Sequence, residues 1–122
     1  KEVSSIKTHD RIEVRAYFNI DREFKEDINL GISFESGDGQ YIFGYSTEMD
    51  SFTPKNNVGY ISLFIDVLPL LRGIYMINAT IVKKDTGALL DSRPRIKKVT
   101  VFSFGNDSVY KGFISLKHLW KQ

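Results

Sequence analysis

Hydrophobic and polar positions alternate along most of the chain with a period of two, which is the spacing of a strand with one buried face. From Arg11 to Ile20, the apolar Ile12, Val14, Ala16, Phe18 and Ile20 interleave with Arg11, Glu13, Arg15, Tyr17 and Asn19. Ile28, Leu30, Ile32 and Phe34 interleave with Asn29, Gly31, Ser33 and Glu35, and the turn signal Gly37-Asp38-Gly39 leads into Tyr41–Ser46, so these two runs are predicted to form a hairpin. After a polar loop holding Pro54, Asn56 and Asn57, a strand is predicted over Gly59–Val67. Leu68-Pro69-Leu70-Leu71-Arg72-Gly73 reads as a corner, because Pro69 cannot donate to a central ladder. Ile74–Lys83, closed by an Asp85-Thr86-Gly87 turn, Val99–Phe104 and Gly112–Leu116 complete the predicted strands. No window keeps a helical period, and short strands separated by turns point to an all-β, immunoglobulin-like antiparallel sandwich rather than a βαβ fold.

A tyrosine stands where one strand begins after the corner. Immunoglobulin-like sandwiches place there a tyrosine whose hydroxyl bonds back to upstream backbone, so Tyr75 is either such a tyrosine corner or a plain core aromatic. Ile77 stands where antibody domains have a cysteine, and the Ile28 strand has no tryptophan, which excludes an antibody-type domain.

Composition narrows the classes. At 122 residues, 42% hydrophobic and 26% charged, residues 1–122 are expected to form one β-sandwich domain with a self-sufficient core. Without a cysteine, disulfide scaffolds, thiol catalysis and cysteine-held metal sites are out of reach. Lys plus Arg at 17 against Asp plus Glu at 15 gives a formal charge of +2, too small an electrostatic footprint for nucleic acid. The longest uncharged stretches, Asn56–Ile65 and Gly73–Val82, are ten residues each, against about 20 for a transmembrane helix, so no direct membrane span is expected. The opening Lys1-Glu2-Val3 carries no signal-peptide pattern and reads as the start of a domain cut from a longer polypeptide.

Candidate chemistry is sparse. His9 and His118 are the two near-neutral bases, and they lie near opposite ends of the chain. There is no Gly-x-Ser-x-Gly, no paired-histidine motif, no Asp-x-Asp loop and no phosphate-binding Gly-rich loop. The expectation is a non-catalytic domain with no cofactor and no metal. Asn78-Ala79-Thr80 and Asn106-Asp107-Ser108 match the glycosylation tripeptide, which is short enough to arise by chance.

The series Gly39-Gln40-Tyr41-Ile42-Phe43-Gly44-Tyr45-Ser46-Thr47, then Leu68–Tyr75 running into Asn78-Ala79-Thr80-Ile81, then Leu90-Asp91, Phe102-Ser103-Phe104 and Gly112–Leu116 with Trp120 resembles one family. It is similar to the C-terminal carbohydrate-binding domain of the ATPase subunit of bacterial O-antigen polysaccharide ABC transporters, the Wzt type. The likeness covers nearly the whole chain from Arg11 onward. It implies an immunoglobulin-like sandwich that follows a nucleotide-binding domain and recognises the end of a polysaccharide before export. It also implies a homodimer in which terminal strands are exchanged, and a cytoplasmic location at the inner membrane through the transporter's membrane subunit. The chain departs from the pattern at Ser46, where an asparagine is usual, and in the basic stretch Arg93-Pro94-Arg95-Ile96-Lys97-Lys98. These departures leave the glycan open.

The binding face can be argued from alternation alone. With Ile28, Leu30, Ile32 and Phe34 inward, Asn29, Gly31, Ser33 and Glu35 face out, and Tyr41, Phe43 and Tyr45 join them if Ile42 and Gly44 point in. The Tyr75 strand belongs to the same sheet in immunoglobulin topology and adds Met76, Asn78, Thr80 and Val82. The expected carbohydrate-binding residues are therefore Asn29, Ser33, Glu35, Tyr45, Asn78 and Thr80, with Tyr45 as the stacking platform and the rest as hydroxyl partners that contribute little to the core. Two other readings share this pattern. Outward aromatics also pack against a neighbouring domain or a dimer mate, and a structural or adhesin-type module needs only the sandwich.

Overall fold

The computed structural model describes residues 2–55, 57–116 and 118–122; Lys1, Lys117 and Asn56 of the predicted polar loop lie outside them. The strands are β1 (Ser5–Lys7), β2 (Ile12–Tyr17), β3 (Ile28–Ser36), β4 (Tyr41–Ser46), β5 (Tyr60–Ile65), β6 (Gly73–Lys83) and β7 (Leu89–Phe102), followed by a 3-10 turn at Gly105–Val109. They form a five-stranded sheet in the order β1-β7-β6-β3-β4 and a two-stranded sheet of β2 and β5. All ladders are antiparallel except β1 with β7, which is parallel. This is an all-β sandwich with an immunoglobulin-like division of strands. Among the described residues no helix is long and apolar enough to cross a membrane.

The alternating apolar rows become the core. Leu30, Ile32 and Phe34 of β3, Tyr75 and Ile77 of β6, and Val99 and Val101 of β7 are buried together, with Ile12, Val14 and Ala16 of β2 and Ile61, Leu63 and Ile65 of β5 packed from the opposite sheet. Leu68, Leu70 and Leu71 of the corner are fully buried and close the bottom of this core. Pro69 stays out of every ladder, as its missing N–H requires.

Tyr75 is a tyrosine corner. Its buried hydroxyl donates to the Leu71 carbonyl at 2.6 Å, tying the start of β6 to the corner that precedes it. The ring meets Phe113 edge-on, with centroids 6.4 Å apart.

β5 is confined to Tyr60–Ile65 within the predicted Gly59–Val67, β1 has no predicted counterpart, and three further elements differ from their predicted form. Gly112–Leu116 is not a strand; it makes a single bridge, Leu70↔Ile114, and clasps the corner through Leu71 N–H to Phe113 O at 2.7 Å and Ser115 N–H to Pro69 O at 2.7 Å. β7 is 14 residues long and reaches back to Leu89, well before Val99. Its N-terminal half is exposed on both faces and has no strand on its outer side among the described residues, so it carries no alternation to read, and Pro94 is tolerated there. β2 stops at Tyr17 rather than Ile20, although Phe18 N–H still reaches Gly59 O at 2.9 Å.

The two-stranded sheet covers only part of the five-stranded one. An apolar cleft of about 1240 Å³ opens between β2 and the N-terminal half of β7, lined by Val14, Ala16, Phe18, Ile81, Leu90 and Ile96 among others.

Replacing Tyr75 with Phe removes one buried hydrogen bond and leaves the Leu71 carbonyl without it, so chemical denaturation should show a loss of about 1–2 kcal/mol. Burial pushes the Tyr75 phenol up, whereas in the unfolded chain it ionises at about pH 10, as an ordinary tyrosine does. The unfolded state therefore sheds its proton first, and this contribution to stability is complete below about pH 10 and declines above it. The stability gap between wild type and Tyr75→Phe should shrink in that alkaline range; a constant gap would contradict the hydrogen-bonded phenol.

Candidate functional site

The outer face of the five-stranded sheet is set by the β3–β6 ladder. Gly31 lies opposite Thr80, Ser33 opposite Asn78 and Glu35 opposite Met76, and side chains of directly paired residues share a face. These rows form the floor and one wall of a shallow notch of about 190 Å³, a volume that about six water molecules would fill.

The other wall comes from β4, where strict alternation fails. Phe34 pairs with Phe43 but Glu35 pairs with Tyr41, so Ile42 is an extra residue in a β-bulge. Ile42 and Phe43 both turn to the core, where Phe43 stacks on Phe34 with ring centroids 4.9 Å apart. Tyr41, 64% exposed, is left on the outer face beside Glu35. Its hydroxyl lies over Gly44: a Cβ on Gly44 would come within 2.6 Å of it and 2.9 Å of the Ser33 Cβ. A Cβ on Gly31 would stand 3.0 Å from the Thr80 hydroxyl. The notch exists because these two positions have no side chain.

Of the six expected site residues, four border the notch: Ser33, Asn78 and Thr80 as outward-facing groups, and Tyr45 beside them on β4. Ser33, Asn78 and Thr80 lie together, and the Asn78 amide nitrogen donates to Ser33 Oγ at 3.1 Å. Glu35 stands one row beyond, ion-paired with the Arg95 guanidinium and mostly shielded. It is not a free partner for a ligand hydroxyl.

Two expectations are corrected. Asn29 is buried: its Oδ1 accepts from the Thr47 hydroxyl at 2.9 Å, and Thr47 Oγ1 in turn accepts from Leu30 N–H at 3.0 Å. It anchors the chain leaving β4 against the start of β3 and offers nothing to the outer face. Tyr45 pairs with Ile32, a core residue, so its ring lies on the inner side at the sheet edge, tilted against Phe43 at 5.9 Å. The bulge moves Phe43 and Tyr45 off the outer face, so that of the three aromatics alternation places outward on β4 only Tyr41 remains there. Its signal in the sequence is the unbroken triplet Tyr41-Ile42-Phe43, three large residues where a strict period allows two to face one way.

Asn78 also has a structural task. Its Oδ1 accepts the Arg95 N–H at 2.7 Å, pinning a bulge in β7, so truncating it would loosen the fold as well as the notch.

The remaining polar chemistry sits at the bottom of the sandwich. His9 Nδ1 is 3.3 Å from Asp107, whose other oxygen accepts from the Ser115 hydroxyl at 3.1 Å. Serine and histidine share the carboxylate here instead of bonding each other, so the histidine does not activate the hydroxyl as a nucleophile. Among the described residues there is no cluster of histidines and carboxylates that could hold a metal ion.

Comparison with known proteins agrees with this architecture. A solved structure described as the C-terminal domain of wzt superposes with a TM-score of 0.70 at 16% sequence identity, covering 97% of this chain and 73% of that one. No curated protein matches the chain. The family model of the Wzt C-terminal domain matches residues 1–116, from the first residue through the clasp at Ile114, and the chain belongs to that family.

Proposed function

We propose that the domain is a non-catalytic recognition module that binds the end of a bacterial O-antigen-type polysaccharide in the notch between β4 and β6. In this reading it is the C-terminal part of a longer ATPase polypeptide and confers glycan selectivity on an ABC exporter at the cytoplasmic face of the inner membrane. The observation that carries the reading is the notch itself: a glycine floor, hydroxyl and amide side chains on one side, and an exposed tyrosine on the other. Sugar rings present both C–H faces, which pack on an aromatic, and hydroxyls, which bond to side-chain amides and hydroxyls. Membership of the Wzt C-terminal domain family supports the same role.

An open notch of this size gives modest affinity, about 10 µM to 1 mM, or roughly 4–7 kcal/mol. Tyr41→Ala should weaken capture of the source organism's own polysaccharide about tenfold, which corresponds to about 1.4 kcal/mol. Tyr45→Ala should not, since its ring lies on the inner side, and neither should Arg15→Ala or Tyr17→Ala on the opposite sheet. Isothermal titration with the purified polysaccharide measures this; no retention by the wild-type domain, or sensitivity confined to the Arg15 and Tyr17 face, would overturn the site.

Assembly follows from the cleft. Among the described residues the outer sides of β2 and of the N-terminal half of β7 are unpaired and flank apolar surface, while Leu116, Leu119 and Trp120 of the C-terminal tail are 71%, 77% and 89% exposed. A homodimer in which each tail adds to its partner's open edge would bury both features. Light scattering at tens of micromolar should give the dimer mass, and removing residues 118–122 should give monomer. A monomer before truncation, or a dimer unchanged by it, would count against strand exchange.

A further inference from the structure

The basic stretch Arg93–Lys98 does not line the notch, yet it fixes the hydrogen-bonding character of the lining. Opposite Asn78, β7 carries three residues, Pro94, Arg95 and Ile96, because the pairing runs from Ile77↔Lys97 directly to Ala79↔Arg93. Arg95 sits at φ 51°, a left-handed conformation that side chains other than glycine avoid. It is kept there from both ends: its N–H donates to Asn78 Oδ1 at 2.7 Å, and its guanidinium bridges Glu35 and the Gly37 carbonyl, the latter at 2.9 Å.

A backbone N–H can only donate, so the Asn78 oxygen must face Arg95 and its NH₂ must face Ser33. Ser33 Oγ then accepts from Asn78, which leaves the Ser33 O–H hydrogen for a ligand, together with the second amide hydrogen of Asn78. Across the notch, Ser46 Oγ accepts the Met49 N–H at 3.2 Å, and its own O–H is likewise left to donate. Among the described residues no carboxylate and no cation line the notch, and Glu35, one row beyond, is paired with Arg95. The lining therefore sets hydrogens of Ser33 and Asn78 side by side, with the Thr80 and Tyr41 hydroxyls near them and no charge, beside the apolar surfaces of Met49 and the Tyr41 ring.

We propose that the notch takes the acetamido group of an N-acetylated amino sugar at the glycan end, with Arg95 as the positioning residue that orients Asn78; this rests on the glycan-end reading above. The acyl carbonyl accepts from Ser33 and Asn78, and the methyl rests between Tyr41 and Met49. A plain sugar hydroxyl finds partners here but brings no methyl to cover the apolar surfaces, and a carboxylate would enter with no cation to neutralise it.

The test is competition against the captured polysaccharide by methyl glycosides of N-acetylglucosamine, N-acetylgalactosamine, glucose and glucuronic acid, with amide NMR spectra of this chain recorded alongside. At least one acetamido glycoside should compete at concentrations at least tenfold lower than the other two classes and shift the Gly31, Gly44 and Asn78 amides. Asn78→Asp keeps an acceptor for the Arg95 N–H but removes the donor, and it should abolish that preference; Ser33→Ala serves as the second variant if the aspartate impairs folding. Equal or better competition by the glucoside or glucuronide, or a preference that survives both substitutions, overturns the acetamido assignment and leaves the glycan reading standing. Failure to retain the polysaccharide at all overturns the reading itself, and this inference with it.

Discussion

The β3–β6 ladder is the constraint on which the rest of the domain depends. It runs from Ile28↔Lys83 to Ser36↔Tyr75 without a register shift, through the middle of the five-stranded sheet. Every residue in it is thereby assigned to one face: Leu30, Ile32, Phe34, Ile77 and Tyr75 to the core, and Gly31, Ser33, Asn78 and Thr80 to the outside. A slip by one residue would exchange the two sets and bury the polar row, so the hydrophobic effect that fixes the core also fixes the notch. Tyr75 closes this ladder at one end by bonding the corner that feeds it.

Irregularity enters on both flanks of that ladder, and it shapes the outer face. In β4 an extra residue turns Ile42 and Phe43 inward together and leaves Tyr41 over Gly44. In β7 three residues opposite Asn78 fold Arg95 back across the sheet toward Glu35. Bulges re-aim side chains at the cost of ladder bonds, and here each is stabilised by groups on the neighbouring strand. The regular centre supplies stability, while the irregular flanks supply the concavity and the direction of its hydrogen bonds.

The second sheet is held differently. Two strands alone are marginal, and β2–β5 is reinforced on its outer face by Arg15 over the Tyr60 ring at 4.9 Å and Arg11 over Phe64 at 5.7 Å. The Ser62 hydroxyl and the Arg15 guanidinium hold the Glu13 carboxyl below the usual carboxylate range. This sheet covers part of the core only, and the apolar cleft beside it is surface that the single chain leaves unfilled.

By itself the sequence determined the all-β class, most strand positions, the core rows, the Pro69 corner and the choice of Ser33, Asn78 and Thr80 as outward neighbours. All of these follow from a period of two and from turn residues, which act over a few positions. Asn29 and Tyr45 were misplaced because their surroundings are not local: a turn after β4 encloses the first, and a bulge reverses the face of the second. Long β7 escaped for the opposite reason, since a strand exposed on both faces has no pattern to display. Only the tertiary structure decided that Tyr41 is the exposed platform, that Glu35 is already paired with Arg95, and which way the Asn78 amide points. Each of these depends on contacts between residues far apart in the chain, where periodicity carries no information.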